Sequence, residues 1–267
     1  MKFGVAGAAG RMGRALLAEI AGAEGAALVA ATEAPANPEL GRDAGELAGL
    51  GPLGVALGDD PRAMFAAADA VLDFTTPQAT RAHAELAAEN GKILIAGTTG
   101  LGPDETAALG AFGARAVIVW AANMSLGVNL LLGLTEQVAR TLDQDFDIEI
   151  VEMHHRHKLD APSGTALALG RAAAQGRGVS LDEVALRGRD GRTGARPRGA
   201  IGFAALRGGD VVGDHTVVFA GTGERIELSH RAAHRRIYAA GALHAAFWAR
   251  DKAPGLYSMK DVLGLSG

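Results

Sequence analysis

Short apolar runs alternate with amphipathic stretches along the first half of the chain. Lys2–Ala6 has the length of a short buried strand. Arg11–Ile20 follows with Met12, Leu16 and Ile20 at four-residue spacing, one face of a helix. Ala27–Thr32 and Ala70–Thr75 read as further strands, and Pro77–Asn90 as a helix that Asn90-Gly91 terminates. Lys92–Ala96 is a strand, Pro103–Ala114 a helix and Ala116–Ala121 a strand. Strands alternating with helices at this spacing predict a doubly wound parallel sheet.

The rhythm changes after Asn123. Leu126–Leu142 reads as one long helix. In Asp147–Met153, acidic and apolar residues alternate, as in a strand with one solvated face. A helix start is expected at Ser163, and residues 176–199, rich in Gly and Arg, read as an extended or mobile loop. Ile201–Leu206, Asp214–Ala220 and Glu224–His230 are strand-like, and their Gly-containing connections predict a meander. Ile237–Trp248 is a last helix, before a short amphipathic tail, Tyr257–Leu265. The expectation is an α/β protein: a Rossmann-type parallel sheet followed by an α+β domain.

The composition excludes several classes. Hydrophobic residues are 48% of the 267 and charged residues 21%, the balance of an ordinary globule. Lys plus Arg is 26 and Asp plus Glu 30, so the net charge is 26 − 30 = −4, which argues against nucleic acid as a partner. The absence of cysteine removes disulfides, thiolate metal sites and Cys nucleophiles. No apolar run reaches the ~18 residues of a membrane span. No secretory signal is seen in MKFGVAGAAG, so a cytoplasmic protein without membrane partners is expected.

Gly7, Gly10 and Gly13 lie at GxxGxxG spacing between the first strand and the first helix. A tight turn there needs a residue free to take positive φ. A pyrophosphate approaching the backbone leaves no room for side chains, and the helix N–H groups receive its charge. Glu33 lies 20 residues after Gly13, at the end of the second strand, where a carboxylate accepts from a ribose hydroxyl. The plain alternative is a strand–helix turn in a Gly-rich chain. The same two readings stand for Gly97-Thr98-Thr99-Gly100, at the carboxyl edge of the sheet.

The densest chemistry is EMHHRHKLDAPSGTA, Glu152–Ala166. Three histidines, an arginine and a lysine fall within five positions, so the segment must face water or an anion. A solvated basic loop and a metal site are the alternatives. The spacing lacks the i, i+4 histidine pair of a helical metal site, and no metal is assigned. Histidine exchanges protons near neutral pH, and a lysine among cations is a readier acid. Ser163 suits a helix N-cap whose free N–H groups, with the Thr165 hydroxyl, would hold a carboxylate. A small dicarboxylate and hydride transfer are the implied chemistry.

GAAGRMGR, DFTTP at Asp73–Pro77, AGTTG at Ala96–Gly100, AANMSLGVN at Ala121–Asn129 and the histidine–lysine segment resemble the dihydrodipicolinate reductases, now called 4-hydroxy-tetrahydrodipicolinate reductases, of the bacterial lysine and diaminopimelate pathway. The likeness runs end to end. It implies a dinucleotide-binding domain of residues 1–122 and 237–267, interrupted by a substrate-binding and oligomerisation domain of residues 123–236, and a homotetramer. Gly7, Ala8, Ala9, Gly10, Arg11 and Met12 would hold the pyrophosphate and Glu33 the ribose. Gly97, Thr98 and Thr99, with Ala121, Ala122, Asn123 and Met124, would line the nicotinamide pocket. His154 would be the proton donor/acceptor and Lys158 the proton donor, while His155, Gly164 and Thr165 would hold the substrate carboxylates. Many relatives carry Arg where this chain has Ala34. With Glu33 opposing a 2′-phosphate and Arg11 or Arg14 favouring one, NADH and NADPH are both expected as cofactors, NADH at least as good. Another two-domain NAD(P)-dependent dehydrogenase would share the glycine loop without needing HHRHK and SGT. A catalytically inactive nucleotide-sensing regulator would gain nothing from keeping His154 and Lys158.

Overall fold

The computed structural model describes residues 1–265. The elements run, in chain order, β1 (Lys2–Ala6), α1 (Arg11–Gly22), β2 (Ala27–Thr32), α2 (Ala44–Leu47), β3 (Leu57–Gly58), α3 (Pro61–Ala67), β4 (Ala70–Asp73), α4 (Pro77–Asn90), β5 (Ile93–Ala96), α5 (Pro103–Gly113) and β6 (Val117–Trp120). They continue with α6 (Leu126–Thr141), β7 (Asp147–His154), α7 (Gly164–Gly176), α8 (Leu181–Val184), β8 (Ala185–Leu186), β9 (Ile201–Arg207), β10 (Gly213–Ala220), β11 (Arg225–Ala232), α9 (Arg236–Ala249), β12 (Gly255–Tyr257) and α10 (Met259–Val262). The chain divides into two compact units. One comprises residues 1–126 and the segment from Arg235 onward; the other is Gly127–His234.

The first unit is a seven-stranded parallel sheet in the order β12-β6-β5-β4-β1-β2-β3. Of its strands, β1, β4, β5 and β6 are almost continuously buried, as a sheet covered on both faces requires. Leu16, Leu17 and Ile20 of α1 pack on one face with Ala242 and Leu243 of α9 and Met259 of α10. Met64 and Phe65 of α3, Ala84 and Ala87 of α4 and Leu109 of α5 cover the other. The helix ends follow the local sequence. Asp60 and Thr76 cap α3 and α4, each ahead of a proline, and Gly91 ends α4 at φ 60°. β4 stops at Asp73, short of the expected Thr75, because the Asp73 carboxylate turns the chain by accepting from the Thr75 N–H at 2.9 Å.

The second unit is a five-stranded mixed sheet in the order β11-β10-β7-β9-β8. β10 is antiparallel to β7 and β11, whereas β9 is parallel to β7 and β8. The expected meander holds for the antiparallel pair β10–β11 but is corrected at β9, since β7 lies between β9 and β10. The link after β9 bonds across the end of β7 instead of closing a hairpin: Gly208 N–H donates to the His154 carbonyl and Arg156 N–H to the Gly209 carbonyl. α7 and α8 supply the crossover that a parallel β7–β9 pair needs. Leu131 of α6 and Leu169 and Ala173 of α7 pack with Ile148, Ile150, Phe203, Val217 and Phe219 on one face. Residues 176–199 are anchored rather than loose. Arg196 bonds Asp147 and Glu149 and the carbonyls of Ile148 and Ala200, and Arg189 also pairs with Glu149.

Candidate active site

In the first unit, Gly7 leaves β1 at φ +67°, and Gly10 N–H returns to the Gly7 carbonyl at 3.1 Å. A Cβ on Gly13 would lie 2.2 Å from that carbonyl and 2.6 Å from the Ala8 Cα, so helix and loop approach closely only with glycine there. Glu33 points back at this loop, accepting from Ala9 N–H at 3.2 Å and Ala34 N–H at 3.1 Å. Arg14 Nε donates to the Ala9 carbonyl at 2.9 Å, while Arg11 stands exposed at the helix start. A glycine cradle that Cβ atoms would fill, with a carboxylate at its rim, fits a dinucleotide.

A cavity of about 360 Å³ opens beside it. Of the expected residues, Met12, Gly97, Thr98, Thr99, Ala122, Asn123 and Met124 line it. Ala121 and the rest of the glycine loop lie outside its lining. Phe74, Thr75, Arg235 and Tyr238 line it as well, and sequence reasoning missed all four. Phe74 and Thr75 lie in the DFTTP segment, whereas Arg235 and Tyr238 come from the far end of the chain. A Cβ on Gly97 would lie 2.2 Å from the Phe74 ring, so glycine lets the ring lie on the loop. Behind this wall, Asp73 is fully buried. It accepts from Thr75 Oγ1 at 2.5 Å and pairs with His83 Nδ1 at 2.9 Å. Thr80 Oγ1 donates to Thr98 Oγ1 at 2.7 Å, and Thr75 N–H donates to the same oxygen at 3.2 Å, joining both cavity loops to α4.

In the second unit, β7 alternates strictly in burial, so Glu152 and His154 fall on the same inward face as Ile148 and Ile150. Glu152 is 1% exposed. It holds His154 Nδ1 at 2.6 Å, both terminal nitrogens of Arg207 at 2.8 and 2.9 Å, and the Ser163 N–H at 3.0 Å. Burial works against its charge, but Arg207, His154 and the Ser163 N–H outweigh it and hold the carboxyl below its usual range. After His154 the chain turns, with Lys158 N–H donating to the His155 carbonyl at 3.1 Å. The expected cationic surroundings of Lys158 are corrected: its Nζ lies 2.8 Å from Asp160 Oδ1, an opposite charge. Arg207 also donates to the Asp160 backbone carbonyl at 2.6 Å.

Ser163 caps α7 by accepting from Ala166 N–H at 3.1 Å, and it meets His215 Nε2 at 3.1 Å. Gly164 and Thr165 form the first turn of that 13-residue helix, with N–H groups directed outward along its axis. His215 stands edge-on to His154, ring centroids 5.1 Å apart. Burial, then the neighbouring His154, lowers it to about 4, so it is neutral at pH 7. Glu152 and Arg207 were also missed. The signal for Glu152 was present as a carboxylate in phase with Ile148 and Ile150; nothing local marks Arg207, 55 residues away.

Two family models match the chain: "Dihydrodipicolinate reductase, N-terminus" over residues 1–124 and "Dihydrodipicolinate reductase, C-terminus" over 127–263. A 4-hydroxy-tetrahydrodipicolinate reductase of Rhodopseudomonas palustris (strain BisB18) is 60% identical over 266 residues, covering 100% of this chain and 98% of the relative. 4-hydroxy-tetrahydrodipicolinate reductase 1 of Mesorhizobium japonicum is 59% identical, covering 98% and 96%. Among solved structures, the dipicolinate-bound dihydrodipicolinate reductase of Paenisporosarcina sp. TG-14 shares the fold, with a TM-score of 0.77, 23% identity and 97% coverage of both chains. An amine dehydrogenase from Mycobacterium smegmatis is a more distant neighbour, with a TM-score of 0.59, 14% identity and coverage of 97% and 95%.

Proposed function

The chain belongs to the dihydrodipicolinate reductase family, and from that premise we propose that it reduces 4-hydroxy-tetrahydrodipicolinate to tetrahydrodipicolinate with NADH or NADPH, in lysine and diaminopimelate biosynthesis. One observation carries the reading. A hydrogen-bonded chain runs from His154 through Glu152 and Arg207 to Asp160 and Lys158, and Glu152 also holds the cap of α7. Proton-handling groups and a carboxylate cradle are thus tied to one buried anion.

Once the 4-hydroxyl of the substrate has left as water, giving a cyclic dienyl imine, the dinucleotide, when bound, would supply a hydride to the ring carbon conjugated with the imine. Gly7, Ala8, Ala9, Gly10, Arg11 and Met12 hold its pyrophosphate, and Glu33 its ribose. Gly97 to Thr99 and Ala121 to Met124 hold the nicotinamide end. The first-turn N–H groups of Gly164 and Thr165, with His155, hold the substrate carboxylates. Lys158 protonates the enamine anion left by hydride addition, and His154 is the proton donor/acceptor. The cations of this turn stabilise the charge that develops.

Both nucleotides are accepted, NADH at least as well as NADPH. The Glu33 carboxylate stands at the loop rim, where it opposes a 2′-phosphate, and Ala34 offers no cation. Arg11 works the other way. The assembly is a homotetramer in the cytoplasm. The sheet face away from α6 and α7 leaves Leu206 half exposed and Val151, Met153 and Val218 partly so, apolar surface that a second copy would cover. Light scattering should then give four times 27.2 kDa. No helix among the described residues is long and apolar enough to cross a membrane.

The test is competition. Pyridine-2,6-dicarboxylate, a planar mimic of the substrate, should inhibit competitively against substrate. Competition against the nucleotide alone would place the carboxylate cradle in the wrong unit.

A further inference from the structure

Glu152 takes no part in proton transfer in the chemistry above, yet its buried carboxylate is held on both oxygens. Four hydrogen bonds converge on its two oxygens. Oε2 takes His154 Nδ1 and one Arg207 nitrogen; Oε1 takes the other Arg207 nitrogen and the Ser163 N–H. We propose that Glu152, clamped by Arg207, is a positioning residue for the reductase reaction, fixing the His154 ring with its proton on Nδ1 so that Nε2 is the nitrogen that exchanges protons. The proposal rests on the reading of His154 as the proton donor/acceptor.

A carboxylate can only accept, so the 2.6 Å contact requires a proton on Nδ1. The other nitrogen is then free to gain or lose one. The surroundings of Nε2 agree. A Cβ on Gly213 of β10 would stand 3.0 Å from it, and glycine leaves that side of the ring clear. Arg207 has a separate task. A carboxylate buried to this degree would be costly to keep charged alone, and a two-pronged guanidinium compensates it without taking its place on the imidazole. Glu152 in turn pushes the Arg207 guanidinium above its ordinary range. Through the Asp160 carbonyl, the same guanidinium anchors the turn that carries Lys158. His215, edge-on to His154, is kept neutral by burial and does not compete for the carboxylate, since its Nε2 faces Ser163 Oγ.

Full-length protein labelled with ¹⁵N-histidine tests this through long-range ¹H–¹⁵N spectra read beside steady-state kinetics. The wild type should show His154 protonated on Nδ1, with a strongly deshielded proton. Glu152→Gln should lose that proton signal and lower kcat by about 10-fold or more, within the range of a general acid–base group. KM for NADH should stay within about twofold, because the nucleotide is held by other residues. Glu152→Asp should recover part of kcat. A wild-type His154 protonated on Nε2 with Nδ1 bare, or a folded Glu152→Gln with wild-type kcat, overturns the proposal. If Glu152→Gln does not fold, Arg207→Lys replaces it: kcat should fall and the deshielded signal shift, and no change in either overturns the clamp. His154→Asn separates the two levels. If it loses turnover while Glu152→Gln does not, positioning fails and the role of His154 stands; wild-type turnover in His154→Asn removes that role and the proposal with it.

Discussion

His215 sets a measurable pH dependence of stability. It is 4% exposed, and burial, then His154, lowers it from 6.5 to about 4. Above pH 6.5 the residue is neutral both folded and unfolded, and its contribution to stability is fully present. As the pH falls, the unfolded chain takes up a proton that the folded chain refuses until about pH 4, so stability is lost across that window. Between those two values the loss is about 2 kcal/mol by pH 5 and about 3 kcal/mol by pH 4, relative to pH 8. His215→Gln keeps a polar atom near Ser163 Oγ, 3.1 Å from the native Nε2, and does not titrate. Urea unfolding at pH 8 and pH 5 should show the wild type losing about 2 kcal/mol more than the variant. Glu152 and other acids titrate in both proteins and cancel in the difference. Parallel pH dependence in the two would show that His215 is protonated as easily folded as unfolded, and would refute the reasoning.

Three further outcomes follow from the site. Lys158→Ala should lower kcat by ~10²-fold or more, with NADH affinity nearly unchanged; equal turnover would remove it as proton donor. Thr165→Val should weaken pyridine-2,6-dicarboxylate inhibition by about 1–3 kcal/mol, read from the inhibition constant, and an unchanged constant would take Thr165 out of the cradle. Ala34→Arg should shift the kcat/KM ratio toward NADPH at fixed ionic strength, since a guanidinium beside Glu33 would pair with a 2′-phosphate; no shift would mean that residue 34 does not face the ribose.

The parallel core was legible because β1, β4, β5 and β6 are short apolar runs at regular spacing, and Gly7, Gly10 and Gly13 punctuate the first crossover. β3 and β12 were not, because strands of two and three residues carry no periodic signal. The expected meander failed at β9, though not at β10–β11, because strand neighbours in a mixed sheet are chosen by tertiary pairing: β9 finds β7 through Ile148 opposite Ile201, far apart in sequence. The 176–199 stretch looked loose by composition, yet Arg196 fastens it to Asp147 and Glu149, a long-range ion pairing that composition does not display. In the site, the histidine–lysine segment announced itself as a charge cluster. Its ordering groups did not: Glu152 looked like one more acid of an alternating strand, and Arg207 and His215 lie on β9 and β10.

The most direct measurement is NADH oxidation at 340 nm with the freshly generated condensation product of aspartate semialdehyde and pyruvate. Consumption of NADH should require that substrate, yield tetrahydrodipicolinate in equal amount, and fall by ~10²-fold or more in Lys158→Ala. A folded wild-type protein that binds NADH but leaves it unoxidised in the presence of that substrate would contradict the assignment.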